Sequence, residues 1–154
     1  MSMTPHLAIA SHILLPEIER LLGEGKDVRF TPSGVSMRPF IEGDKDSVIL
    51  SPLDTNPKRG DILLARLPQT DGTNTYVLHR LIRVEHDTTN GNIYVLQGDG
   101  NLIGEERCKR EWIVARVTAI ERPNGRKKCL TRGYIWYALK PFRKYLLKIY
   151  RHLL

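Results

Sequence analysis

Between Asp27 and Glu121 the chain consists of short apolar runs separated by turn residues, and this texture limits the fold more than any other feature. The expected strands are Asp27–Thr31, Ser47–Leu50, Asp61–Arg66, Thr75–Glu85, Asn92–Gln97 and Trp112–Glu121. They are rich in aliphatic and β-branched residues, which suit a pleated, half-buried surface. Gly, Pro, Asn and Asp cluster between them, with Asp71-Gly72, Asn90-Gly91 and Asn124-Gly125 as the tightest turn signals. No helix-length pattern separates these runs, so the spacing predicts a mostly β, antiparallel domain.

Helices are expected at both ends. Ile13, Leu14, Ile18, Leu21 and Leu22 recur at roughly helical spacing within 7–23. Pro16 should turn or kink that segment, and Gly23 and Gly25 stop it. The stretch 131–154 also reads as helix. Past Pro141, Phe142, Tyr145, Leu146, Ile149 and Leu153 form an apolar stripe, with Arg143, Lys144, Lys148 and Arg151 largely on the other side. The expected organisation is an N-terminal helical segment (1–25), a β domain (26–121) and a basic amphipathic tail (122–154).

Charge divides along the same boundary. The formal net charge is +7, yet residues 1–121 carry 14 basic and 17 acidic side chains, and residues 122–154 carry ten basic and none acidic. A near-neutral body with a cationic tail is a poor match for a nucleic-acid binder, and no stacking motif or recognition module accompanies the charge. Six of the eleven aromatics also lie in the tail, which suits an anionic membrane surface. The competing expectation is that the tail packs its apolar stripe on the β body and leaves its cations solvated. Cys108 and Cys129 form no disulfide framework and no zinc spacing, so a reducing, cytoplasmic setting without a metal is expected. No apolar run of about 18 residues occurs. Leu7–Leu15 has no basic residues before it and is interrupted by His12, so neither a signal peptide nor an anchor is expected there.

The segment with the most chemistry in it is Pro32-Ser33-Gly34-Val35-Ser36-Met37-Arg38-Pro39-Phe40, followed by Gly43-Asp44. A serine between a glycine and a proline can present its hydroxyl on a sharp turn while backbone N–H groups stay free to face an oxyanion. Taken alone, such a cluster reads most simply as a loop. Further along come Gly60-Asp61, then Val77-Leu78-His79-Arg80, then Gly98-Asp99-Gly100-Asn101. In this order the boxes resemble the catalytic boxes of the superfamily that contains the signal peptidases and the LexA-type self-cleaving repressors, over about residues 28–101.

That resemblance implies a mostly β peptidase fold with Ser36 as nucleophile. Where many members use a lysine base, this chain has none between Lys58 and Lys109 and carries His79, as in the endoplasmic-reticulum-type signal peptidases. By resemblance, His79 takes the Ser36 proton and later gives it to the leaving amine, and Asp99 orients His79. The chain departs from those enzymes at Gly34, where they carry a serine, and at Gly100, where an asparagine is usual. The oxyanion hole would then use the backbone N–H groups of Val35 and Ser36. Met37 and Phe40 would line a pocket for a small apolar substrate side chain. Substrate would lie as an added strand beside Asp27–Thr31 or the strand carrying His79. The chemistry needs no metal and no organic cofactor. The alternative from another class is a catalytically silent peptide-binding module, docked on a membrane or partner by its tail.

Overall fold

In the computed structural model of the chain, the described residues are 11–128, 130 and 133–153. The first residues of the expected N-terminal helix (7–10), Cys129 and the start of the expected tail helix (131–132) lie outside them. The elements are α1 (Ser11–Gly23), β1 (Val28–Phe30), β2 (Ser47–Ser51), β3 (Ile62–Pro68), β4 (Asn74–Asp87), β5 (Gly91–Gln97), β6 (Glu106–Lys109), β7 (Ile113–Glu121), β8 (Lys127–Lys128), α2 (Gly133–Ala138) and α3 (Arg143–Leu153). The eight strands form one sheet in the order β1-β2-β7-β3-β4-β5-β6, with β8 paired to β7, and every pairing is antiparallel. The mostly β architecture with a helix at each end is the one the sequence texture predicts.

All six expected strands are present. The tight turns fall where Gly supplies a positive φ, as at Asp71-Gly72, where Thr73 N also donates to Asp71 Oδ1 at 2.9 Å. β6 was not anticipated. Its Glu-Arg-Cys-Lys sequence offers one apolar side chain, Cys108, and that one is buried.

The core lies on both faces of the sheet. β3 shows why: Ile62 and Leu64 belong to one cluster and Leu63 and Ala65 to the other. Its unbroken apolar run is the signature of a strand covered on both sides. On the first face α1 buries Ile18 and Leu22 against Met37, Ile41, Val48 and Leu50. The helix runs on through Pro16 and is tied to β4 by Tyr76 Oη, which donates to Glu19 at 2.8 Å.

The tail is two helices. A 3₁₀ turn over Lys140–Phe142 separates α2 from α3, because Pro141 supplies no N–H to continue α2. Trp136 and Leu147 are buried, so the tail is part of the same body. The expectation that its apolar stripe packs inward is overturned. Arg143, Leu147 and Tyr150 face the body, while Phe142, Tyr145, Ile149 and Leu153 are exposed. Among the described residues no helix is long and apolar enough to cross a membrane.

Candidate active site

The loop between β1 and β2 carries Ser36, and its course is set by backbone contacts. Gly34 adopts φ +88°, a conformation only glycine takes at little cost. Asp44 N donates to Pro32 O at 2.8 Å, and Phe40 N and Ile41 N both donate to Met37 O at 3.0 Å. The Arg38–Pro39 peptide is cis. The glycines of the other boxes make room for this loop. A Cβ on Gly43 would overlap Gly34 O, one on Gly98 would overlap Ser36 O, and one on Gly100 would lie 2.7 Å from Val35 O. Gly100 therefore fits this chain where an asparagine would collide.

The Gly34–Met37, Gly43-Asp44 and Gly98–Asn101 boxes thus converge on the backbone around Ser36. Their convergence fixes the carbonyls and leaves the donors free. Arg38 N donates to Val35 O at 3.2 Å and Gly100 N donates to Ser36 O at 2.8 Å. The N–H groups of Val35 and Ser36 donate to nothing among the described residues. Two adjacent unpaired donors beside a serine form the raw material of an oxyanion hole.

Asp99 is not beside His79. It is fully buried, and Arg80 grips it with Nε at 2.8 Å and Nη2 at 2.7 Å. Tyr137 Oη donates to Asp99 Oδ1 at 3.2 Å. Burial first, and then the Asp99 charge, hold the Tyr137 hydroxyl well above its usual pKa. Asp99 O also accepts from Trp136 Nε1 at 2.9 Å and Arg143 Nη2 at 3.0 Å. Asp99 thus anchors the loop beneath Ser36 and does not orient the base, which corrects the expectation drawn from the resemblance.

Phe40 also lies away from the place expected for it, outside the cleft lining. Its ring meets Trp136 edge-on at 5.9 Å, with the Arg80 guanidinium 5.0 Å from its centroid, and it does not line the cleft. Met37 does line the cleft, although it is itself a buried core residue. Asp61, from the Gly60-Asp61 box, accepts from Lys58 N at 2.8 Å and Arg116 Nε at 3.0 Å, a bracing role.

His79 is 6% exposed, and its Nδ1 lies 2.7 Å from Glu106 Oε2. A carboxylate only accepts, so Nδ1 carries the hydrogen, and in the neutral ring Nε2 is the nitrogen with the lone pair. Glu106 is the residue that sequence reasoning missed. It sits on β6, the strand with a single buried apolar side chain, and nothing in its neighbourhood marks it. The signal available was its place opposite Leu96 once β5 and β6 are paired.

Ser36 and His79 border one cleft of about 630 Å³, lined mainly by Phe30, Pro32, Met37, Leu64, Tyr76 and Leu78. One side of it is a strand edge. β4 pairs with β3 from Asn74 to Arg80, and with β5 only from Arg80 onward. Among the described residues, the second edge of β4 from Asn74 to His79 is therefore unpaired. β1, whose Phe30 lines the same cleft, is the terminal strand of the sheet. Ser36 Oγ makes no hydrogen bond among the described residues, so the structure does not join it to His79. Comparison with protein families, with characterised proteins and with solved structures gave no match.

Proposed function

We propose that the chain is a serine peptidase that cleaves a peptide bond through an acyl-enzyme. The observation that carries this reading is the unpaired β4 edge, which runs from Asn74 to His79 along the cleft that Ser36 also borders. An extended peptide completes that edge by backbone hydrogen bonds, and the apolar wall around Met37 and Leu78 takes alternate side chains. Substrate seated in this way brings the scissile carbonyl to Ser36.

Ser36 Oγ attacks the carbonyl carbon as His79 Nε2 takes its proton. The carbonyl oxygen becomes an oxyanion that accepts from the Val35 and Ser36 N–H groups. The tetrahedral adduct collapses with cleavage of the C–N bond, and His79 gives its proton to the departing amine. Water, deprotonated by the same nitrogen, then hydrolyses the Ser36 ester. Glu106 holds the imidazole in the tautomer that frees Nε2 and stabilises the imidazolium between steps. The open Ser36–His79 contact is a common feature of peptidases without substrate, since catalytic hydrogen bonds tighten in the Michaelis complex. Two cysteines are too few for a disulfide framework, and among the described residues Cys108 is a buried free thiol, which fits the expected reducing setting.

The same open contact favours a second reading, a peptide-binding module that grips a strand without cutting it. Incubation with a mixed peptide library, read by mass spectrometry, separates the two. A peptidase yields new termini that Ser36→Ala and His79→Ala abolish. A binding module retains peptides uncut and is indifferent to both substitutions.

A further inference from the structure

The outward face of α3 takes no part in the fold or in the proposed chemistry. Successive residues of an α-helix turn by about 100°. Arg143, Leu147 and Tyr150 share one side and meet the body, where Arg143 Nη2 donates to the carbonyls of Asp99 and Asn101 and Tyr150 Oη donates to Glu42. Tyr145, Ile149 and Leu153 share a second side and are 64, 56 and 79% exposed, with Phe142 just before the helix at 59%. Lys144, Lys148 and Arg151 form a third side. They are exposed and make no ion pair among the described residues.

We propose that this outward face docks on an anionic lipid bilayer. Phe142, Tyr145, Ile149 and Leu153 would enter the headgroup boundary while Lys144, Lys148 and Arg151 face lipid charge. Charge complementarity selects this occupant. Residues 122–154 include no acidic side chain, so a second copy of the face, meeting it in a symmetric contact, would set cation against cation. The helix is also held firmly enough to act as a dock, because the buried Arg143 fixes its inner side. Val35, Leu147, Tyr150 and Arg151 line one small recess, so docking sets the Ser36 loop about one helix diameter, roughly 10 Å, from the lipid. The docking stands apart from the peptidase reading and is tested without any activity measurement.

The 154-residue chain is mixed with phosphatidylcholine vesicles with and without phosphatidylglycerol, and the bound fraction is read by co-sedimentation. The expected result is retention by the anionic vesicles at low salt and release as salt rises. Lys144→Gln/Lys148→Gln and Tyr145→Gln/Ile149→Gln should each lower the partition coefficient by about tenfold or more. All four side chains are exposed, so the variants should unfold at the wild-type temperature. Ile149→Gln alone should give a smaller loss in the same direction. Absence of retention at low salt, or equal partitioning of the wild type and both double variants, overturns the proposal. So does a dimer in sedimentation equilibrium that Tyr145→Gln/Ile149→Gln dissolves while vesicles retain nothing.

Discussion

The carboxylates of Glu106 and Asp99 carry different burdens, and their partners distinguish them. Among the described residues the Glu106 carboxylate hydrogen-bonds only the imidazole, at a half-buried position, so Glu106→Gln should leave stability nearly unchanged. It should lower kcat by about tenfold or more with KM little altered, because it removes a preference for the productive tautomer and not a substrate contact. Steady-state kinetics on any cleaved peptide checks this. Asp99 is the reverse case. Asp99→Ala leaves the Arg80 guanidinium buried without its anion, which should cost about 3–5 kcal/mol in denaturant unfolding. A stable Asp99→Ala protein with a selective loss of kcat would restore Asp99 to the catalytic group. Ser36 and His79 were brought together in the sequence only by the resemblance of the ordered boxes, since the serine turn taken alone reads as a loop. Glu106 was not legible, because a carboxylate that acts across paired strands has no local signature. Asp99 was legible as a motif and misread in role, since its partner Arg80 lies 19 positions away.

Glycine-backed contact with the Ser36 loop is the main feature at the scale of elements. The three boxes meet so closely that Gly100→Ala must push Val35 O aside. That change should cost about 1–3 kcal/mol by thermal or denaturant unfolding and weaken cleavage, with the loop rather than the chemistry at fault. The loop is also coupled to α3 through Glu42, which accepts from Arg38 Nε at 2.9 Å and from Tyr150 Oη at 3.1 Å. Burial alone would raise the Glu42 pKa, but the bonds from Arg38 and Tyr150 outweigh it and hold it below its ordinary 4.5. A folded value below the unfolded one stabilises the protein above pH 4.5, and that stabilisation is lost as pH falls through the folded value. Unfolding measured across that acid range should therefore be less pH-dependent in Glu42→Gln than in the wild type. The strands of these elements were readable from alternation and turn dipeptides. The packing side of α3 was not. Its apolar stripe suits a bilayer face as well as a packing face, and it is Arg143 that faces the body, where carbonyls of Asp99 and Asn101 and the rings of Trp136 and Tyr137 receive its guanidinium.

For the molecule as a whole, the cationic tail and the β body are one structure with two outward faces. Trp136 covers Phe40 and hydrogen-bonds Asp99 O, and Gly133 lies directly against the Arg80 guanidinium. Deleting 133–154 would therefore uncover the Arg80–Asp99 pair as well as remove the charge. Such a truncated chain should lose several degrees of thermal stability or fail to fold, whereas a detachable tail would leave the melting temperature unchanged. Peptidase activity in this chain requires Ser36 to be a nucleophile activated by His79. A serine-directed fluorophosphonate, followed by peptide mapping in a mass spectrometer, tests it most directly. A stoichiometric adduct on Ser36 is expected, absent in Ser36→Ala and formed far more slowly in His79→Ala. An unmodified Ser36 in folded wild-type protein, or labelling that proceeds equally in both variants, would contradict it.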